Sequence, residues 1–202
     1  MTIAVYASDE QWDELNQAAQ TLHYIRLEKN NSAGIVADAF FILQEVSTFD
    51  CNNTQVPVFI HAVAETLSTL QAPPHVIRIN AWKGFLQKTI WEVAGTINAE
   101  AAAVLNGLNK KYIIVPDEPG FVAARIIAMI INEAYFALEE NVSIPPEIDT
   151  ALRLGAGYPF GAFEWANAIG LQHILTLLEL LAGIDTRYTP CALLKKEATL
   201  CP

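Results

Sequence analysis

Basic residues are scarce in this chain. Its 202 residues hold 12 Lys and Arg against 22 Asp and Glu, giving a net charge of −10 and a pI near 4.8. Only Arg26 and Lys29 are basic in the first 75 residues. Nucleic-acid binding needs clustered Lys and Arg, so that class is excluded. Cysteine is equally thin. Cys51, Cys191 and Cys201 are odd in number and match no zinc or redox spacing, so no metal site is expected; free thiols in a reducing cytoplasm are. Long apolar runs are missing too. "IIAMII" (126–131) falls far short of the roughly 18 residues that span a bilayer. "MTIAVYASDE" lacks a basic n-region and is no signal peptide. A soluble, cytoplasmic protein without membrane contact is expected.

What is present is apolar. Hydrophobic residues make up 52% and charged residues 17% of the chain, enough to bury a substantial core. The length allows one large domain or two small ones. A mean hydropathy of +0.27 implies more apolar surface than a monomer hides, and so an oligomer.

The first half alternates short apolar runs with helical patterns. "TIAVYA" (2–7), "HYIRLE" (23–28), "AFFIL" (39–43), "VPVFIHAV" (56–63), "HVIRINAW" (75–82), "KTIWEVAG" (88–95) and "KYIIV" (111–115) have strand length and composition. Ser8 and Gln11 form a capping box for a helix whose face holds Trp12, Leu15, Ala19 and Leu22. "NNSAG" (30–34) reads as a loop and "AETLSTLQ" (64–71) as a short helix closed by Pro73 and Pro74. Asn98 caps a helix over 98–109. Strands alternating with helices predict an α/β layer with a mostly parallel sheet over 1–115.

From 116 onward the pattern is helical. Pro119 suits the first turn of a helix that runs to about Glu140. "SIPPEIDTALRLG" repeats this with Pro before the helix and Gly155 as its cap. "GYPFG" (157–161) is a compact turn, and "AFEWANAIG" and "LQHILTLLELLAG" are two more helices, the second capped by Gly183. The expected second domain is 116–202 and all-α.

Three stretches of that domain carry a resemblance. They are "PGFVAARIIAMIINEAYFALEE", with Asn132, Glu133 and Ala134; "IDTALRLGAGYPFGAFEWANAIGL"; and "RYTPCALLKK" (187–196). Together they resemble the C-terminal helical domain of the 3-hydroxyacyl-CoA dehydrogenases of fatty-acid β-oxidation. The resemblance implies that 1–115 is an abridged Rossmann-like domain, with 75–95 at its end. It also implies a homodimer through the helical domain.

The resemblance bears on one acid in an apolar strand, Glu92. The family's general base is a histidine oriented by a glutamate twelve residues later. Glu92 matches the glutamate, and the histidine position falls on Asn80. Asparagine cannot accept a proton from a hydroxyl near neutral pH. His61 and His75 are near in sequence but wrongly spaced. The family's helix asparagine falls on Ala124, followed by Arg125. Its Thr-Ser-Ser stretch aligns with "HAVAET" (61–66), where Thr66 or Ser68 supplies a hydroxyl only after a register shift. Lys83, Lys88 and Arg125 are candidates for CoA phosphates, against the plainer readings of solvated lysines and an arginine joining two helices. Trp82, Trp91 and Trp165 read as core.

A dinucleotide fold needs glycines between its first strand and helix. Here Ala7, Asp9 and Trp12 stand at those positions, and Asp9 and Glu10 bring negative charge to the helix end where phosphates bind. Glu28 stands about 20 residues on, where a ribose-binding acid belongs. The expectation is no cofactor, with NAD required only by an alternative reading as an active dehydrogenase. Three functions follow: a non-catalytic relative that binds acyl-CoA between its two halves, an interaction protein that pairs with itself or a full-length dehydrogenase, and an active dehydrogenase with divergent residues.

Overall fold

The structure is a computed structural model that describes residues 1–18, 22–28, 34–44 and 46–200. Ala19, Lys29, most of the 30–34 loop and Cys201 lie outside the described residues. The chain divides into two compact units, Met1–Phe121 and Val122–Pro202. Residues 116–121, assigned by sequence to the helical domain, belong to the first unit.

The first unit is built on seven strands: β1 (Thr2–Tyr6), β2 (His23–Arg26), β3 (Ala39–Ile42), β4 (Val58–His61), β5 (Val76–Ile79), β6 (Ile90–Ala94) and β7 (Lys111–Ile114). Their order is β2-β1-β3-β4-β5-β6-β7. The first five are mutually parallel, β5 and β6 pair antiparallel, and β6 and β7 are parallel. The expected Rossmann-like, mostly parallel sheet is thus present. Helices α1 (Asp9–Ala18) and α2 (Ala99–Gly107) make the β1–β2 and β6–β7 crossovers.

Strand alternation divides the core in two. Ile3, Val5, Phe41, Phe59, Ile77, Ile79, Trp91 and Val93 pack with Leu15 of α1 and Ala101, Val104 and Leu105 of α2. Ala4, Phe40, Ile42, Val58, Ile60 and Val76 face the other way and pack with loop residues such as Phe49, Leu67 and Leu70. The Ser8–Gln11 capping box forms, with Gln11 N–H on Ser8 Oγ and Ser8 N–H on Gln11 Oε1, each at 3.3 Å. Asn98 Oδ1 caps α2 through Ala101 N–H at 2.8 Å.

Two expectations fail here. Helix α1 ends at Ala18, and Leu22 lies beyond it, packed against the core ahead of β2. Residues 64–71 form turns instead of a helix. Thr66 and Thr69 tie each other, Thr69 N–H to Thr66 Oγ1 at 3.0 Å and Thr66 N–H to Thr69 Oγ1 at 2.9 Å. Asp117, fifty residues away, takes the N–H groups of Leu67 and Ser68 at 3.0 and 3.2 Å. Side chains have displaced the helical ladder.

The second unit contains α3 (Ala123–Glu139), α4 (Pro145–Thr150), α5 (Ala162–Ile169), α6 (Leu171–Ala182) and α7 (Ala192–Leu200). Pro119 does not open α3; residues 119–122 are a turn, and the helix begins at Ala123. Pro145 and Pro146 occupy the first positions of α4 as expected. That helix runs into a π-helical turn, Ala151–Gly155, so Gly155 is not its terminator; the left-handed residue is Gly157, at φ 72°. Helix α7 has no counterpart in the sequence reading. Asn132 of α3 holds the segment before it, donating to Thr189 O at 3.0 Å and accepting from Cys191 N–H at 2.8 Å. Asp149 accepts from Phe163 N–H at 2.8 Å and so anchors α5. A Cβ at Gly161 would collide with the Asp149 carboxylate, which explains the glycine that closes "GYPFG". No helix among the described residues is long and apolar enough to cross a membrane.

Candidate functional site

In open α/β sheets a ligand crevice opens at the carboxyl ends of strands where the strand order reverses. Here β1 has β2 on one side and β3 on the other, so the reversal lies between β1 and β3. The buried Gln11 bridges this place. Its amide donates to Leu43 O just past β3 at 3.3 Å and to Ala81 O past β5 at 3.1 Å. Gln44 donates to Gln11 Oε1 at 2.7 Å. The chain's own amides therefore join α1 to the ends of β3 and β5.

The rest of the first helical turn is also engaged. Asp9 pairs with Arg26, and Glu10 with Lys83 at 3.1 Å; both pairs are solvent-exposed. Trp12 packs on the core, edge-on to Tyr24 with centroids 6.1 Å apart, and Arg26 lies over its ring. Ala7 is partly buried against the same cluster. Glu28 is exposed beyond β2.

The structure explains the twelve-residue spacing of Asn80 and Glu92. In the β5–β6 pair Arg78 faces Ala94 and Ile79 faces Val93. One step further, the same register sets Asn80 opposite Glu92, and directly opposed residues share a face. Asn80 is 8% exposed. Its Oδ1 accepts Trp82 N–H at 2.9 Å, while its Nδ2 is buried without an acceptor. Glu92 is half-buried in β6.

Neither nearby histidine is a ready base. His61 ends β4, and its Nδ1 accepts Ala81 N–H at 3.0 Å. That bond occupies the nitrogen that would have to take a proton. His75 precedes β5, at the opposite end from Asn80, and its Nε2 bonds Cys51 O at 2.9 Å. The Thr66 hydroxyl is tied to Thr69, and Ser68 sits over Asp117. Among the described residues no three His, Cys, Asp or Glu side chains gather as a metal site requires.

Sequence reasoning missed a second charged strand residue. Arg78 is 0% exposed and makes five hydrogen bonds. Nε donates to Ala62 O at 2.9 Å, Nη1 to Asp117 Oδ1 at 2.5 Å and Glu118 O at 3.3 Å, and Nη2 to Val63 O and Glu118 O, both at 3.3 Å. Its guanidinium lies 4.8 Å from the Phe121 ring centroid. Arg78 thus fastens residues 117–121 to the sheet. The signal that drew attention to Glu92, one charge in an apolar strand, applied equally to Arg78. Burial pushes the Asp117 carboxyl up, but the Leu67 N–H, the Arg78 hydrogen bond, the Ser68 N–H and the Arg78 charge outweigh it and hold it below its ordinary range.

Two further charges were not anticipated. Glu14 of α1 is 7% exposed and Lys110, after α2, is 6% exposed. Glu14 Oε1 accepts Gly84 N–H at 2.7 Å, and Oε2 is buried without a donor. Lys110 Nζ donates to Leu86 O at 2.7 Å and Lys88 O at 2.9 Å and lies over the Trp91 ring. Burial raises the Glu14 carboxyl's pKa and lowers that of the Lys110 ammonium.

Within the helical unit, Ala124 is fully buried near the start of α3 and Arg125 is half-buried beside it. Trp82, Trp91 and Trp165 are buried, in line with their reading as core.

A Rossmann-like sheet and an all-helical unit define the class of this protein. Residues 120–199 match the family model of the 3-hydroxyacyl-CoA dehydrogenase C-terminal domain. The chain is similar to the 3-hydroxyadipyl-CoA dehydrogenase of Escherichia coli (strain K12), 38% identical over 144 residues that make up 68% of this chain and 30% of that protein. It is also similar to a probable 3-hydroxybutyryl-CoA dehydrogenase of Bacillus subtilis (strain 168), 37% identical over 99 residues, 48% of this chain and 34% of that one. The fold resembles that of (S)-3-hydroxybutyryl-CoA dehydrogenase from Ralstonia eutropha, with a TM-score of 0.73 over 98% of this chain and 93% of that chain, at 18% identity. The chain belongs to the 3-hydroxyacyl-CoA dehydrogenase family, and the matched stretches span 30% and 34% of the two curated relatives' lengths.

Proposed function

We propose that this chain is a non-catalytic member of its family: it takes up no NAD, transfers no hydride, and serves as a binding partner for acyl-CoA. The observation that carries this reading is Gln11, whose amide bridges the strand-order reversal where a dinucleotide would enter. The acids at the start of α1 support it. A helix N-terminus attracts phosphate, and Asp9 and Glu10 oppose that attraction with fixed charge.

The chemistry of Asn80 supports it further. Oxidising a 3-hydroxyacyl group moves the hydroxyl proton to a base and a hydride to an acceptor. An amide cannot take the proton, and general-base help is worth roughly 10²–10⁴-fold. What Asn80 retains is a buried Nδ2 donor without an acceptor, suited to a ligand oxygen. Assembly as a homodimer through the helical unit belongs to the same proposal.

Calorimetry with NAD and NADH, and a steady-state assay with 3-hydroxybutyryl-CoA, test it. No binding at millimolar cofactor and no turnover are expected, for wild type and for Asn80→His, because the single repair restores no hydride acceptor. A micromolar dissociation constant for either nucleotide would restore the enzyme reading. A thermal shift with acyl-CoA is expected; its absence would leave assembly as the sole role. Light scattering that shows a monomer at high concentration would remove the dimer.

A further inference from the structure

Residues 82–89 join the end of β5 to the start of β6, with Asn80 and Glu92 at the two ends of the excursion. Two turns shape the segment, Phe85 N–H to Trp82 O at 2.9 Å and Lys88 N–H to Phe85 O at 3.1 Å, with Gly84 at φ 83°. Among the described residues no backbone hydrogen bond joins 82–88 to another element. Side chains hold it instead. Asn80 Oδ1 takes Trp82 N–H, Glu14 takes Gly84 N–H, and Lys110 donates to Leu86 O and Lys88 O. The Lys83–Glu10 pair is exposed and contributes little. The Leu86 side chain is fully buried in the core.

Such fastening is finely balanced. The two charges make good hydrogen bonds to the segment, but each loses its hydration there, and Glu14 Oε2 finds no donor in return. Opening the segment rehydrates both charges, which offsets the hydrogen bonds lost. Elements held by few buried contacts and no ladder are those that open locally.

We propose that residues 82–89 form a strap, fastened by Glu14 and Lys110, whose opening releases the Asn80 amide for a ligand. The link runs through Trp82: when the strap lifts, its N–H leaves Asn80 Oδ1. The strap stands on geometry alone; the ligand step rests on the reading of Asn80 given above.

Native-state hydrogen exchange without ligand tests the strap separately from that reading. In the wild-type protein the N–H groups of Trp82 and Gly84 should exchange faster than those of Phe41 and Ile60 in the sheet. Glu14→Ala should speed the strap amides by about tenfold or more, the worth of one charge-assisted hydrogen bond. It should also shift the Asn80 side-chain amide resonances, while the sheet amides stay unchanged. Glu14→Gln, which keeps an oxygen for Gly84 N–H, should restore most of the protection. Strap and sheet amides that exchange together in the wild type would overturn the proposal, even if Glu14→Ala fails to fold. So would strap exchange that Glu14→Ala leaves unchanged. If the strap opens as expected but acyl-CoA fails to slow its exchange, the ligand step fails and the strap remains.

Discussion

Replacing Arg78 by Met should remove the strongest polar anchor of the sheet unit. The substitution keeps most of the side-chain volume but deletes all five donors. Ala62 O and Val63 O each lose a hydrogen bond, and Glu118 O loses two. Removing one partner of a buried ion pair costs about 3–5 kcal/mol. Asp117 lowers that figure, because its side chain is 29% exposed and keeps the Leu67 and Ser68 N–H groups. The expected loss is therefore about 3 kcal/mol, the low end of the range. With an m-value of about 2 kcal/mol/M, the urea midpoint falls by about 1.5 M. Tryptophan fluorescence reads this unit well, since Trp12, Trp82 and Trp91 lie in Met1–Phe121 and only Trp165 lies outside. A Trp165→Phe background isolates the signal. Arg78→Lys keeps the charge but not the forked geometry, and should lie between wild type and Arg78→Met. A midpoint shift below about 0.5 M for Arg78→Met would refute the reasoning, since water would then be serving the carbonyls as well as the guanidinium does.

Asp117→Asn should flatten the acid limb of the stability curve. The folded carboxyl titrates below its ordinary 3.8, so its contribution is fully present above that value and drains as pH falls through the folded pKa; equal acid slopes for both proteins would count against it. Glu14 has the opposite sign. Its raised pKa favours the fold below the ordinary 4.5 and loses that advantage as pH rises through the folded value, so Glu14→Gln should remove a decline there, read by urea midpoints across the acid range. Gly161→Ala should destabilise the helical unit by about 1–3 kcal/mol, because the new methyl displaces Asp149 from Phe163 N–H; an unchanged thermal midpoint would contradict it. Burial lifts the Tyr24 phenol to about 12, so ultraviolet titration should show one tyrosine ionising late and Tyr24→Phe should abolish that step.

Much of the architecture was legible because it is local. The period-2 alternation of β3, β4 and β5 follows directly from residues that must alternate between two buried faces. Ser8, Gln11 and Asn98 announce their helices through side chains that reach only three residues. What was missed is distant in sequence. Residues 64–71 have helical composition, and only Asp117 reveals that two of their N–H groups are committed elsewhere. Arg78 in "HVIRINAW" could be placed only with its partners 117 and 118 in view. Glu14 and Lys110 read as surface charges until the segment between them is seen to lack a backbone ladder. Of the site, the Asn80–Glu92 pairing was implied by spacing and is given its reason by the antiparallel register. The bridging role of Gln11 had no local signal beyond its cap.

The glutamine bridge at the strand-order reversal has a thermodynamic consequence. A crevice closed by a ligand gains stability as RT ln(1 + [L]/Kd), and that gain rises and falls with supply. A crevice closed by Gln11 and Gln44 draws on groups whose effective concentration is set by the fold and never diluted. The melting temperature of such a unit does not track the nucleotide pool, and its abundance in a cell is uncoupled from redox state.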